Sequence, residues 1–198
     1  MQAIGEVLSS SIMGFVAEAW TDEHSHARGM MPAFGSFIKS HSEERKISVF
    51  AVVYDIVTGP SDQLHKPTAL RMSRAQLRQE QPQIFSLLKT EWHAAVVGYK
   101  QSGRCITRLP PFPPEVHDFV FFPSQDELLD LSENLEYLRM LNNTPGVPYD
   151  ELMAATIRSA ASARHDEYEY LVAAGRHISR LLRDDYDRLG HILAKIRP

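Results

Sequence analysis

The hydrophobic rhythm of the chain changes once, at Phe122-Pro123-Ser124, and that change limits the folds open to it. Upstream, short runs rich in β-branched and aromatic residues occupy positions 4–10, 15–20, 34–40, 47–58, 94–100 and 119–122. Glycine and proline punctuate them, the pattern of strands whose side chains alternate between two faces. From Ser124 onward the apolar residues recur every three or four positions, the period of an amphipathic helix. The expected fold is therefore α+β with the two kinds of structure segregated. A small β-barrel over residues 1–122 precedes a helical module of about four helices over residues 123–198.

Composition narrows the function classes. The net charge of −4 gives no global electrostatic footprint for nucleic acid, so direct nucleic-acid binding is not expected. Cys105 is the single cysteine, which rules out an intrachain disulfide and fits a reducing compartment. The start of the chain lacks the basic stretch and long apolar run of a signal peptide. No segment approaches the roughly 20 apolar residues that span a bilayer, so no membrane insertion is expected and the cytoplasm is the expected location.

Within the barrel half, Ile47-Ser-Val-Phe-Ala-Val-Val-Tyr-Asp-Ile-Val-Thr58 is apolar or β-branched at nearly every position. Such a run predicts a central strand buried at least partly on both faces. Residues 96–100 and 104–108 flank Gln101-Ser102-Gly103, a connection of hairpin length. Leu109-Pro-Pro-Phe-Pro-Pro114 lacks four backbone donors and should run extended over the surface to the strand at 118–122. Between strands, residues 74–89 suit one or two helical turns limited by Pro82.

In the helical half, Ser124 stands three residues before Glu127, the spacing of a capping box. Leu128, Leu131, Leu135, Leu138 and Leu141 follow on one face, and Asn142-Asn-Thr-Pro-Gly146 stops that helix. Val147-Pro148 opens a second segment. Asp166 and Glu169 offer another capping box ahead of a helix through Leu182, and a last helix from about Asp184 aligns Tyr186, Leu189, Ile192, Leu193 and Ile196. Helices of this length bury a core only by packing together or against the barrel.

Residues 1–122 resemble the HAS-barrel family, the barrel shared by HerA-type DNA-translocating ATPases and the ATP synthase catalytic core. The resemblance lies in Ile4-Gly5-Glu6-Val7, Phe34-Gly35-Ser36-Phe37-Ile38-Lys39 and Val52-Val53-Tyr54-Asp55-Ile56. These are similar to that family's opening strand, its glycine-led second element and its long apolar strand. The resemblance implies a barrel that supports subunit assembly or partner docking rather than phosphoryl transfer. Consistent with that division, no G-x-x-x-x-G-K-[ST] loop occurs anywhere in the chain, so a standard P-loop motor is excluded.

Other constellations have a chemical and a plainer reading. Asp22-Glu23-His24-Ser25-His26 carries enough ligand atoms for a divalent metal, but H-x-H converges only on a strand, and a solvated loop is the expectation. His93 and His117 suit acid–base chemistry but have no nucleophile near them in sequence, so structural roles are expected. Cys105 lies between Arg104 and Arg108, which would lower its pKa on close approach; alternation with Ile106 favours a half-buried structural thiol. Arg176, Arg180, Arg183 and Arg188 make a basic line that Asp184, Asp185 and Asp187 interrupt, the pattern of a salt-bridged solvated face.

Two stretches suit protein binding. Gln81, Pro82 and Phe85 combine a polar side chain, a restricted backbone and an aromatic anchor. Phe112 sits amid prolines on a strip whose ordering cost is already reduced. The plainer alternative is that Phe85 and Phe112 close the two ends of the barrel.

The sequence thus reads as a non-catalytic adaptor or assembly factor docking a partner protein, a ring-shaped ATPase being the partner the resemblance implies, or forming a homo-oligomer. It assigns no catalytic, cofactor-binding or metal residue. The alternatives are an enzyme, metal-dependent through His24 and His26 or with a spatially assembled pocket, and an accessory protein of DNA processing.

Overall fold

A computed structural model describes residues 2–20, 31–61, 68–141, 144 and 146–197. Seven strands form one antiparallel sheet: β1 (Gly5–Ser10), β2 (Gly14–Ala19), β3 (Phe37–Ser42), β4 (Ile47–Pro60), β5 (Leu88–Gln101), β6 (Arg104–Ile106) and β7 (Phe119–Phe121). Their spatial order is β2-β1-β7-β3-β4-β5-β6, and β2 also pairs with β5. That extra pairing closes six strands into a barrel and leaves β6 as a flap on β5. Closure removes most free sheet edges.

Bulges between Phe50 and Ala51 and between Val53 and Asp55 break the β4–β5 register, bending two long strands around the barrel. The β5–β6 turn needs only Ser102 and Gly103, with φ of 52° and 81°, the backbone that a two-residue hairpin loop demands.

Alternation along the strands feeds two cores. Ile4, Val7, Phe15, Ile38, Val49, Val53, Trp92, Val96 and Val120 fill the barrel together with small Ala17, Ala51 and Ala94. Phe37, Phe50, Val52, Ala95 and Val97 point outward and lie under the C-terminal helices. The stretch Ile47–Val53 is apolar at almost every position for this reason. One of its faces lines the lumen and the other meets helices, and all seven residues are buried.

Two short helices, α1 (Arg74–Glu80) and α2 (Gln83–Ser86), lie between β4 and β5. Five more follow the barrel: α3 (Gln125–Glu133), α4 (Tyr137–Leu141), α5 (Tyr149–Ala161), α6 (Glu167–Leu181) and α7 (Tyr186–Lys195). Ser124 and Glu127 form the expected capping box, the Glu127 amide donating to Ser124 Oγ at 3.2 Å and the Ser124 amide to Glu127 Oε2 at 2.9 Å. Asp166 accepts from the Glu169 amide at 2.9 Å, and Asp185 caps α7 through the Arg188 amide at 3.2 Å.

The leucine series does not ride on one helix, as its spacing predicts. Asn134 leaves the helix with φ −88° and ψ 106°, and its side chain accepts from the Glu136 amide, so the chain re-enters as the separate α4. Leu131, Leu138 and Leu141 are nonetheless buried in the shared outer core. Gly35 fixes the seam between barrel and helices. At its φ of +81° a Cβ would sit 2.5 Å from Ala155 Cβ and 2.9 Å from the Thr156 amide nitrogen, so α5 passes directly over a bare backbone.

Candidate functional site

The pairing pattern makes one part of the barrel protrude. Among the described residues, β2 follows β5 only as far as Glu18 opposite Glu91, and β3 follows β4 only to Phe37 opposite Val52. The β4–β5 ladder continues to Pro60 opposite Leu88, so its last rungs stand beyond the closed barrel as a two-stranded ribbon. Ile56 and Val57, on β4 just before those rungs, are exposed.

The tip of the ribbon carries α1 and α2. Ser73 and Gln76 form a reciprocal capping box, the Ser73 amide donating to Gln76 Oε1 at 2.9 Å and the Gln76 amide to Ser73 Oγ at 3.2 Å. That local device holds a helix of seven residues whose side chains include none that is buried; α2 likewise buries none. Gln81 ends α1 by donating its amide to the Leu77 carbonyl, and Pro82 begins α2. Phe85 is half-buried beneath two guanidinium groups, Arg74 at 5.1 Å and Arg78 at 5.5 Å from the ring centre. Leu70, ahead of α1, and Leu87, just after α2, are exposed, Leu87 by 59%. Gln81, Pro82 and Phe85 therefore share one surface.

Phe112 does not join them. The proline strip crosses the opposite end, where Arg45 in the β3–β4 turn lies 4.4 Å above the Phe112 ring. Pro110 and Pro114 are buried and Ser10 Oγ donates to the Pro114 carbonyl at 2.6 Å, so the strip is anchored along its length while Phe112 stays 53% exposed. The 14 residues of β4 separate the two aromatic sites. Neither ring belongs to the barrel core.

Sequence reasoning missed a charged cluster on the outer wall. Lys39, only 6% exposed, donates to Glu127 Oε2 at 2.6 Å, and Lys100 donates to Glu127 Oε1 at 3.2 Å. Burial alone would push the Glu127 carboxyl up. The hydrogen bonds from Lys39 and the Ser124 amide, with further attraction from Lys39 and Lys100, outweigh it and hold the group at about 2. The signal was present: Lys39 occupies the outward register between Phe37 and His41, where a buried strand should carry an apolar residue.

The remaining candidates lie apart from these sites. His93 stacks edge-on with Tyr54 at 6.0 Å. His117, exposed and at φ 76°, contacts the Glu6 carboxylate. Cys105 is half-buried, and burial, then a hydrogen bond with Asp130, pushes its thiol up to about 12, the direction opposite to activation and in keeping with the half-buried structural reading. In the basic line, Arg183 meets Asp184 at 3.3 Å and Arg188 meets Asp150 at 2.8 Å. His24 and His26 lie outside the described residues. Among the described residues no group of three or more His, Cys, Asp or Glu could hold a metal ion, and no helix is long and apolar enough to cross a membrane.

Neither the models of known protein families nor the curated proteins contain a match to this chain. The likeness to HAS barrels therefore rests on the residue pattern and on a closed six-stranded antiparallel barrel.

Proposed function

We propose that the chain is a non-catalytic adaptor or assembly factor that holds a partner protein with the tip of the β4–β5 ribbon. The observation that carries this reading is that α1 and α2 bury no residue of their own. Helices of 7 and 4 residues are far below the length that persists in water unaided, and most helices are kept by packing an apolar face. These are kept by a capping box and by the ribbon beneath, leaving Phe85, Leu70 and Leu87 to meet something else.

The chemistry of the partner follows from charge. Between Thr68 and Leu87 stand three arginines and one glutamate, in a chain whose net charge is −4. An acidic protein surface with an apolar centre complements that tip, which would place Phe85 and Leu87 at the core of the interface and the arginines at its rim. Pro82 and the capping box reduce the ordering cost of binding. In HAS-type barrels the family role is subunit docking, and a ring-shaped ATPase is the partner class that resemblance favours. Phe112 with Arg45 offers a second, smaller contact at the other end.

A photo-crosslinking residue at Gln83, introduced in the source cells, tests this. The expected result is one predominant crosslinked protein, lost on Leu87→Asp while the melting temperature stays with the parent. Crosslinking that persists in Leu87→Asp, or that matches a probe placed on Asp184 between α6 and α7, would overturn the assignment. Crosslinks only to a second copy of the chain would replace the adaptor by a homo-oligomer.

A further inference from the structure

A pocket of about 380 Å³ opens between the β3–β4 turn, the β5–β6 turn and the start of α3, at the end of β4 away from the docking tip. Register explains its lining. His41, Ser48 and Lys100 oppose one another on one rung across β3, β4 and β5, and Lys39 opposes Phe50 and Phe121 on the neighbouring rung. These side chains share the outer face that carries Phe37, Val52 and Val97 further along. Where the helical cover ends, the wall turns from apolar to cationic.

The charges do not balance. Lys39, Lys46 and Lys100 line the pocket with Glu127 as the acidic member of the lining. One carboxylate offsets one ammonium, so two positive charges remain, His41 aside. Lys39 has three N–H donors, and among the described residues one of them is used, on Glu127. Its side chain is 7% exposed, so bulk water meets the others poorly. Phe121, half-buried and the cross-strand neighbour of Lys39, supplies an apolar part of the same lining.

We propose that this pocket holds a small phosphorylated molecule, with its phosphoryl oxygens on Lys39, Lys46 and Lys100 and its carbon atoms against Phe121. A phosphate monoester carries about −1.5 to −2 near neutral pH, which matches the excess of lysines over carboxylate within the pocket's own lining. Lysines bind such groups as point charges, without the fork geometry of arginine. The volume lies near the lower end of the range of about 300–1,000 Å³ for small-molecule sites. An extended polyanion is disfavoured because Glu43, Glu44, Glu115 and Asp118 line the adjoining groove past His41 and Phe121, with Glu115 paired to Arg45 at 2.9 Å.

The test is calorimetric titration and thermal shift of the full chain with inorganic phosphate and with glycerol phosphate, at ionic strength held constant with chloride. Saturable binding is expected, weakened about tenfold or more by Lys100→Met, which leaves the Lys39–Glu127 pair in place. Lys46→Met, on the exposed turn, is expected to weaken it several-fold with an unchanged circular dichroism spectrum. Tighter binding of the ester supports the contact with Phe121, whereas equal or weaker binding of the ester keeps the lysine site but overturns that contact and identifies the free anion. No saturable response at millimolar phosphate, or a response untouched by Lys100→Met and Lys46→Met, would overturn it. So would tighter binding of a single-stranded oligonucleotide that depends on the same lysines.

Discussion

Replacing Glu127 by glutamine preserves the size of the side chain in the first turn of α3 and removes the carboxylate that meets both Lys39 and Lys100. The carboxyl sits at about 2 rather than its ordinary 4.5, the lysine and amide contacts having outweighed burial. At about 1.4 kcal/mol for each tenfold change, that difference corresponds to roughly 3 kcal/mol. The Lys100 side chain is 32% exposed, so water screens its share and about 2–3 kcal/mol is the expected loss at neutral pH. The sign is that of a depressed acid. Its stabilisation is complete above the unfolded carboxyl's pKa near 4.5 and disappears as the pH falls through the folded value near 2.

Urea denaturation of parent and Glu127→Gln from neutral pH down to about pH 3 reads both the size and the slope. The gap between the two proteins should shrink to about half or less at the acid end, because the parent alone holds a carboxylate that must be protonated. A companion variant separates the pair from the cap. Glu127→Gln leaves the buried Lys39 ammonium without its carboxylate, the costly way to break a buried pair, whereas adding Lys39→Met removes both charges. The double variant should therefore be more stable than Glu127→Gln alone. A constant gap across the pH range, or simple additivity of the two substitutions, would refute the account.

Further outcomes are expected. Gly35→Ala should cost about 2–4 kcal/mol in chemical denaturation, since its φ is +81° and the new Cβ would overlap Ala155. Ile157→Ala should cost about 2–5 kcal/mol, and far-ultraviolet circular dichroism and tryptophan fluorescence should still report one coincident transition, because α5 shares a core with the barrel wall. Cys105, with its thiol pushed up to about 12, should alkylate more than about a hundredfold slower than a cysteine peptide at pH 8, as followed by mass spectrometry. Purified chain with magnesium and ATP should show no turnover, lacking the glycine-rich phosphate loop; turnover abolished by a substitution within the chain would contradict that.

Local signals were legible wherever a few adjacent residues decide the backbone. Ser124 with Glu127 started a helix where their spacing placed one, and the proline strip at 109–114 stayed out of the sheet. Gln101-Ser102-Gly103 made its hairpin. The interrupted leucine series shows the limit. Periodicity records which face is buried, and Leu131, Leu138 and Leu141 are buried, but it does not register that Asn134 redirects the backbone between them. Gln81, Pro82 and Phe85 were placed together because they are neighbours in sequence. Their distance from Phe112 depends on how far β4 runs beyond its pairing with β3, which no local pattern records.

The change of rhythm at Phe122 marks a change of layer rather than an end to the hydrophobic core. Phe37, Phe50, Val52 and Val97 belong to strands and yet lie in the same cluster as Leu152, Ile157 and Ile178. A strand run that is apolar on both faces already requires something outside the barrel, and the only long amphipathic segments in the sequence are those after Ser124. The same logic applies to the polar half of β3. In Phe37-Ile-Lys-Ser-His-Ser42, propensity alone reads the run after Ile38 as a fading strand. Register instead keeps Lys39 and His41 on the face of Phe37, at the border of the helical cover, and α3 begins there with the carboxylate that Lys39 needs. A buried lysine in an outward strand position is thus evidence for a partner charge on the covering element, which Glu127 supplies.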